Sequence, residues 1–351
     1  MNSMIINHPW IDETFYKSGS FIIINQGKDA LLLKGGIRNS DERAPSTQCE
    51  TIFCKDFFED IFLFHHSEDH LTIALEDLRS YLGTSMEELG LSERSDDDKI
   101  FMEDFRDLKQ QIPSNIKKAV LVSRQNYHSK NRYALIKHLF AKAIHMNQGR
   151  SYGFWQDNQG IIGCTPEVLF EINDGTLMTE ALAGTAKKGQ ESYLTESIKD
   201  RNEHEFVIQD LCEKICSLNL TPKIESTQTS GFSSIIHLRT IISAKLIDKI
   251  SALTLSRILS PTAALGGYPR KISKSFLLNT RYNRAYPQRV FGSVIGTEQS
   301  GPLGLVMIRN VQWDEQSFFV ESGVGIVNAS ELSQEMEELK LKRKVVRDYY
   351  L

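Results

Sequence analysis

The first hundred residues carry apolar runs with the length and spacing of β-strands. FIIINQ, ALLLKG and TIFCKDFFEDIFLF are separated by polar or glycine-containing segments, a pattern that predicts strands with intervening turns. The polar stretch LSERSDDDKI follows them without any apolar period. It predicts a surface loop before the main body of the chain.

Beyond Ile116 the apolar pattern separates strands from helices more sharply. KKAVLVSRQ predicts a buried strand, and NRYALIKHLFAKAIHMNQG predicts a helix that ends near a glycine. Next, SYGFWQDNQGIIGCTPEVLFEINDGTLMTEALAGT alternates strand runs with DNQG and NDG turns, which predicts an antiparallel meander. The chain lacks regular strand–helix–strand alternation and a Walker A motif, so a doubly wound nucleotide-binding fold is disfavoured.

The segment SIKDRNEHEFVIQDLCEKIC predicts a helix that carries one inward carboxylate. Its apolar stripe consists of Val207, Ile208, Leu211, Cys212 and Ile215. Glu203 lies four residues before Val207 and points toward this stripe, where a carboxylate is costly unless a cation or hydrogen bonds compensate. Two interpretations stay open at this point: a cation ligand, or a residue at the helix edge that favours the positive N-terminal end.

The segment SELSQEMEELKLKRKVVRDYY predicts a second helix with carboxylates on one stripe. The members of this stripe are Glu335, Glu338, Lys342, Val345 and Tyr349. A solvated face with an i, i+4 pair between Glu338 and Lys342 would explain them. Two helices with inward carboxylates, in a chain without CxxC or HExxH motifs, would also suit a hard cation such as Mg²⁺.

Composition and charge favour a small-molecule partner. The 351 residues are 40% hydrophobic and 25% charged, with a formal net charge of −4, so neither nucleic acid nor an anionic membrane is an expected partner. Five cysteines are too few and odd in number for a disulfide framework, and Cys212 and Cys216 are expected as small hydrophobes on a buried helix stripe. The first residues resemble no signal peptide and no apolar run approaches a membrane span, so we expect a cytoplasmic protein.

Three features are candidates for recognising an anion. Arg309 stands alone among apolar residues in GLVMIRNVQW, where a bidentate carboxylate would be a suitable partner. Gly323 and Gly325 of GVGIV would let backbone N–H groups approach an oxyanion, although a purely structural turn explains them equally well. His237 in SIIHLRTII is flanked by apolar residues, a setting more often typical of a core histidine than of a catalytic one.

An ordered set of motifs then resembles those of the chorismate-utilising enzymes. In chain order they are TPEVLFE, ALAGTAKKG, KDRNEHEFV, IHLRT, LSPTAALGGYPR, IRNVQW, ESGVGIV and a terminal S…E..E…K spacing. The resemblance implies an α+β fold, a single large domain of stacked antiparallel sheets flanked by helices over residues 1–351. Within it, residues 101–351 would form the chorismate-binding catalytic region, and residues 1–100 a weakly matched part of the sheet layers.

The resemblance also implies roles for individual residues, with Mg²⁺ as cofactor and chorismate as substrate. The implied metal ligands are Glu203 and Glu338, with Glu335 as a second acidic residue nearby. The implied substrate-binding residues are Gly184, Thr185, Arg309, Gly323, Gly325 and Lys342. The implied catalytic residues are Glu167 as general acid and His237 as a polar site residue. The resemblance places the base next to Lys118, which is our candidate for that role for the reason given below.

Among the family members, isochorismate synthases are the most similar. LSPTAALGGYPR is close to their signature, although Ser260 replaces a histidine. Salicylate synthase, which would go on to eliminate pyruvate, stays an alternative, and the resemblance leaves menaquinone and siderophore pathways and the oligomeric state open. Phe291 replaces the usual tyrosine, and Ala119 stands where the basic lysine is expected. These departures raise a further alternative, a catalytically impaired chorismate-binding protein.

The position of the base is the sharpest conflict within the sequence. Lys118 precedes Ala119 by one residue, and side chains alternate faces along a regular strand. An extra residue at Val122, accommodated as a β-bulge, would restore the facing of Lys118. We therefore predict that a bulge is present and that Lys118 reaches the site.

Overall fold

Residues 8–35, 38–39, 50–82, 92–112, 114–128, 132–156, 158–287 and 289–351 are described by the computed structural model. The strands in these ranges are β1 Ser18–Ile24, β2 Asp29–Lys34, β3 Arg38–Asn39, β4 Glu50–Lys55, β5 Phe62–Ser67, β6 His70–Ala74, β7 Ser92–Asp96, β8 Lys118–His128, β9 Arg150–Gln156, β10 Gln159–Thr165, β11 Val168–Asn173, β12 Thr176–Lys187, β13 Lys223–Ile224, β14 Gln228–Phe232, β15 Ile235–Lys245, β16 Gly267–Tyr268, β17 Val294–Thr297, β18 Leu303–Val306, β19 Asn310–Trp313 and β20 Phe318–Ile326. The α-helices are α1 Glu13–Lys17, α2 Leu75–Leu82, α3 Asp98–Gln111, α4 Arg132–His145, α5 Glu191–Glu196, α6 Ile198–Ser217, α7 Ala252–Leu259, α8 Arg270–Leu278, α9 Arg281–Ala285 and α10 Leu332–Tyr350.

The strands form two antiparallel sheets of ten strands each. The first sheet has the order β16-β8-β20-β19-β10-β9-β1-β2-β6, with β7 also paired to β8. The second has the order β13-β15-β12-β11-β18-β17-β4-β5-β3, with β14 also paired to β15. Strands from the first hundred residues therefore take places in both sheets. The predicted α+β fold of large antiparallel sheets with helices is confirmed.

Burial on both faces explains why β1 reads as one continuous apolar run. Ile22 and Ile24 pack in a cluster that includes Ile52 of the second sheet, so this face lies between the sheets. Phe21 and Ile23 alternate with them and pack in a different cluster, which contains the apolar side of α4. A strand covered on both faces needs apolar residues at every position.

The three long helices predicted from the sequence are present. The side chain of Ser197 caps α6 by accepting a hydrogen bond from the backbone N–H of Asp200, which fixes where that helix begins. Cys216 is exposed, so its expected place on the buried stripe is wrong. The buried side of the last turn is formed by Lys214 and Ile215, and Cys216 lies outside it. Within the described ranges, no helix combines the length and apolar character needed to cross a membrane.

Two predictions about the strands are wrong. The polar stretch expected as a surface loop contains β7, which pairs with β8, because backbone hydrogen bonds to a neighbouring strand do not require apolar side chains. The expected meander is two hairpins in different sheets: β9 pairs with β10 in the first, and β11 with β12 in the second. The chain crosses between the sheets after Thr165.

Candidate active site

Nine of the twelve residues predicted for the site line one pocket. They are Glu167, Gly184, Thr185, Glu203, His237, Arg309, Gly323, Gly325 and Lys342. The other three, Lys118, Glu335 and Glu338, are not part of this lining, and each forms an ion pair described below. The structure therefore brings together side chains that are up to about two hundred residues apart in the sequence.

Two neighbouring crossovers between the sheets build one part of the pocket. Glu167 lies in the connection from β10 to β11, and Arg309 in the connection from β18 to β19. The backbone N–H of Cys164 donates to the carbonyl of Arg309 at 3.2 Å, and that of Val306 donates to the carbonyl of Glu167 at 3.2 Å. Arg309 has φ +55°, a left-handed conformation that costs energy for a non-glycine residue and often occurs at functional sites.

Glu167 is a buried carboxyl that nearby positive charges compensate only in part. Its side chain is 3% exposed, and Oε1 has no hydrogen-bond partner among the residues described. Burial raises the pKa of Glu167 to about 8, although Lys118 and Arg309 act in the opposite direction. The carboxyl is therefore mostly protonated at neutral pH and available as a proton donor.

His237 and Arg309 are buried next to one another. Nδ1 of His237 donates to the carbonyl of Gly184 at 2.8 Å, which leaves Nε2 to accept from Nη2 of Arg309 at 3.4 Å. Burial, reinforced by Arg309, lowers the pKa of His237 to about 3, so the imidazole is neutral. Burial also lowers the pKa of Arg309 to about 10, and its Nε finds no partner in the described part of the chain. We call Glu167, His237 and Arg309 the desolvated group.

Three lysine–glutamate ion pairs form the other part of the site, and we call them the ion-paired group. Their Nζ–Oε1 distances are 3.2 Å for Lys118–Glu203, 2.8 Å for Lys199–Glu335 and 2.6 Å for Lys342–Glu338. Burial opposes the ionisation of Glu338, but Lys342 and Lys199 outweigh it and lower its pKa. Each buried carboxylate thus faces a lysine, but burial and Glu338 still raise the pKa of Glu335 to about 7.

Lys118 reaches the site without the predicted β-bulge. The pairing of β8 with β20 is regular from Ala119 through Tyr127, so the bulge expected at Val122 is absent. Lys118 shares a strand face with Val120, which lines the pocket. Ala119 faces the other way and is fully buried in the apolar core. The prediction placed the site on the strand face that carries Ala119, whereas the pocket lies on the opposite face, which carries Lys118 and Val120.

The two glycines of β20 leave space for the side chains around them. A Cβ at Gly325 would lie 2.1 Å from Oε1 of Glu203 and 2.7 Å from Cε of Lys118. A Cβ at Gly323 would lie 2.8 Å from the ring of Phe291. Both positions therefore need glycine for close packing, and backbone contact with a substrate oxyanion stays a prediction.

The carboxylates of the ion-paired group have suitable chemistry for a hard divalent cation. Glu203, Glu335 and Glu338 all attract the ammonium of Lys199, so all three lie within electrostatic reach of one position. Oε2 of Glu335 is buried without a hydrogen-bond partner among the described side chains. No group of three acidic, histidine or cysteine side chains in the described ranges forms a ready-made metal site. These residues fit a Mg²⁺ that takes one or two carboxylates and completes its shell with water or substrate oxygens.

Sequence reasoning missed two contributions to the site. Lys199 lies four residues before Glu203 on α6, a spacing that could have revealed it as a neighbour of the carboxylates. Asp210 and Lys214, a further i, i+4 pair on α6, fix the loop after α7: Lys214 donates to the carbonyl of Pro261 at 2.8 Å, and Asp210 accepts from the N–H of Ala263 at 2.8 Å. Residues 264 and 265 of that loop line the pocket.

Comparison with known proteins gives a consistent result. A family model described as chorismate binding enzyme matches residues 65–349. The chain is 29% identical over 201 residues to the salicylate biosynthesis isochorismate synthase of Pseudomonas aeruginosa, covering 54% of this chain and 42% of the relative. It is 28% identical over 243 residues to the isochorismate synthase MenF of Haemophilus influenzae, covering 64% and 54%. The matches span about half the length of these curated relatives.

Solved structures share the fold at low sequence identity. The menaquinone-specific isochorismate synthase MenF of Escherichia coli has a TM-score of 0.80 at 18% identity, covering 99% of this chain and 91% of that one. Anthranilate synthase component I of Streptococcus pneumoniae has a TM-score of 0.68 at 15% identity, covering 88% and 82%. At these identities the likeness establishes the two-sheet fold.

Proposed function

The chain belongs to the chorismate-binding enzyme family, and we propose that it is a Mg²⁺-dependent isochorismate synthase. In this reaction water adds at C2 of chorismate and the C4 hydroxyl leaves. The names of the curated relatives, isochorismate synthases in both cases, support the assignment. The reaction needs a base for the incoming water, an acid for the departing hydroxyl and positive charge for the substrate carboxylates.

The single observation that carries the proposal is the carboxyl of Glu167, which lines the pocket, is 3% exposed and has no hydrogen-bond partner at Oε1 among the residues described. Hydroxide is a poor leaving group, so the C4 hydroxyl must receive a proton as its bond to carbon breaks. Burial raises the pKa of Glu167 to about 8, and a carboxyl with such a pKa holds its proton at neutral pH and gives it up at a basic oxygen. Glu167 is therefore the general acid of the proposed reaction, and the hydroxyl leaves as water.

Lys118 acts as the base. Its ammonium lies 3.2 Å from Glu203, and its positive charge acts on Glu167, so base and acid belong to one site. The ammonium first releases a proton to solvent, and the resulting amine takes a proton from the water that attacks C2. Each turnover then leaves Lys118 protonated and Glu167 ionised, and exchange of one proton restores both for the next cycle.

The remaining residues orient the substrate. Arg309 offers a guanidinium whose Nε has no partner in the described part of the protein, which suits a substrate carboxylate. His237 is neutral and accepts from Arg309, so it orients the guanidinium without adding charge. Glu203 and Glu338, with Glu335 nearby, would hold Mg²⁺. When bound, this ion would neutralise and orient the ring carboxylate of chorismate.

Product analysis tests the proposal directly. Purified protein is incubated with chorismate and Mg²⁺, with EDTA in a parallel sample, and the products are separated by liquid chromatography. We expect isochorismate without pyruvate, and no conversion in EDTA. Salicylate with equimolar pyruvate would instead identify a salicylate synthase. Unchanged chorismate in all samples would contradict the proposal and favour a binding protein without activity.

A further inference from the structure

Lys199 is placed differently from the other two lysines of the ion-paired group. Lys118 is completely buried on a strand, and Lys342 also donates to the carbonyl of Gly323 at 2.8 Å. The ammonium of Lys199 instead contacts only carboxylates among the residues described: Oε1 of Glu335 at 2.8 Å and Oδ1 of Asp200 at 4.0 Å. Its side chain is 17% exposed, so it has a route to solvent.

The surroundings of Lys199 resemble those of a bound cation. Glu203, Glu335 and Glu338 all attract its ammonium, and without a positive charge near them these buried carboxylates would repel one another. Lys118 and Lys342 compensate Glu203 and Glu338, but the ion pair that compensates Glu335 is the one with Lys199. Oε2 of Glu335 is fully buried and unpartnered within the described ranges, so part of this carboxylate remains available to a second cation.

We propose that Lys199 is a displaceable internal counter-ion, which stabilises the carboxylates in the metal-free enzyme and must give way when Mg²⁺ binds. The inference rests on the metal site of the proposed function. Asp200 lies within reach of the same ammonium, so Lys199 has a second carboxylate to face when it leaves Glu335. If Mg²⁺ must displace the ammonium of Lys199, that charge lowers the affinity of the site for Mg²⁺.

Replacing Lys199 by methionine tests this directly. Lys199→Met keeps most of the side-chain volume and removes the competing charge. Isothermal titration calorimetry with Mg²⁺ alone, without chorismate, should give a dissociation constant at least about tenfold below that of the natural protein. Lys188→Met is the matched control: it removes the same charge from an exposed position, and its Mg²⁺ affinity should change less than about twofold. An unchanged or weaker affinity in Lys199→Met overturns the proposal.

Thermal unfolding supplies a second readout. In EDTA, Lys199→Met should melt at a lower temperature than the natural protein, since Glu335 loses its cation. Saturating Mg²⁺ should then raise the melting temperature of the variant by more than it raises that of the natural protein. An equal gain in both proteins would contradict the proposal. If Lys199→Met does not fold, Lys199→Gln removes the charge but keeps a polar end, and the same outcomes apply.

Failure of the counter-ion proposal can be distinguished from failure of the proposed function. If calorimetry detects no Mg²⁺ binding to the natural protein or to either variant, the counter-ion proposal is overturned. Chorismate conversion by the natural protein, with and without EDTA, then shows independently whether the isochorismate synthase assignment falls as well.

Discussion

The desolvated group and the ion-paired group lie in one site but differ in how far their buried charges are compensated. In the desolvated group, burial shifts each side chain toward its neutral form: the pKa of Glu167 rises to about 8, and those of His237 and Arg309 fall to about 3 and about 10. In the ion-paired group, each buried carboxylate faces a lysine within 3.2 Å. Nearby lysines lower the pKa of Glu338, whereas burial and Glu338 raise that of Glu335 to about 7. In the function that we propose, the first arrangement exchanges protons and receives a charged substrate, and the second exchanges one cation for another.

Removing Lys118 should have the largest effect, because this residue pairs with Glu203 and its charge also acts on Glu167. Lys118→Ala removes the proposed base and leaves the buried carboxylate of Glu203 without its partner. We expect conversion of chorismate to fall by about 10³-fold or more, measured as initial rates of isochorismate formation. Ala119→Lys is the informative control: position 119 faces the apolar core, so a lysine there should not restore activity to Lys118→Ala. Activity that survives Lys118→Ala and increases on adding Ala119→Lys would assign the base to the other strand face.

Glu167→Gln should break the desolvated group while leaving the ion pairs intact. Glutamine keeps the shape of the side chain but cannot protonate the departing hydroxyl. Turnover should fall by about 10²-fold with little change in KM, the pattern of an interaction made mainly in the transition state. A raised KM at unchanged kcat would assign Glu167 to substrate binding instead.

Glu203→Gln should weaken Mg²⁺ binding, the opposite of the effect expected for Lys199→Met. The amide is a poorer ligand for Mg²⁺, so calorimetry should show an affinity for Mg²⁺ about tenfold weaker or more, while circular dichroism stays that of the folded protein. Glu205→Gln provides the control, since Glu205 is an exposed residue of the same helix. Equal Mg²⁺ affinity in both variants would remove Glu203 from the metal site.

The smallest effect is expected at Phe291. Its ring lines the pocket and is 2% exposed, and the family resemblance predicts that a tyrosine hydroxyl here would reach a substrate carboxylate. Phe291→Tyr should therefore lower KM by about threefold to tenfold, the gain from one additional hydrogen bond of ordinary strength. A higher KM would indicate that the hydroxyl finds no partner in this pocket.

The sequence was a better guide to which residues lie together than to the path by which the chain brings them together. The helical periods of α6 and α10 indicated that Glu203 and Glu338 point inward, since a carboxylate on an apolar stripe leaves a visible anomaly. The crossing from β10 to β11 left no such signal: turn residues specify a local reversal but not which sheet the next strand joins. Glu167 and Arg309 occupy two such crossings, so their proximity follows from tertiary topology rather than from local pattern.

The sequence likewise predicted only some of the ion pairs that compensate the buried carboxylates. The i, i+4 spacing of Glu338 and Lys342 predicted their pairing, because both residues lie on one helix. The pair of Lys199 with Glu335 joins two helices more than a hundred residues apart, and no local period encodes it. Lys118 lies beside the pocket, paired with Glu203, without the bulge that we predicted, since the strand is regular and the pocket lies on the face opposite to that of Ala119.

The pH dependence of kcat/KM tests most directly whether the desolvated group carries the chemistry. Glu167 must be protonated to act, and a pKa of about 8 keeps it so below that pH and ionises it above. The ratio of kcat/KM in the natural protein to kcat/KM in Glu167→Gln should hold steady between about pH 7 and about pH 8 and then fall about tenfold per unit up to about pH 9.5. The ratio isolates Glu167, because the deprotonation of Lys118 affects both proteins alike and cancels. A ratio that stays constant through pH 8 would contradict the assignment of Glu167 as the acid.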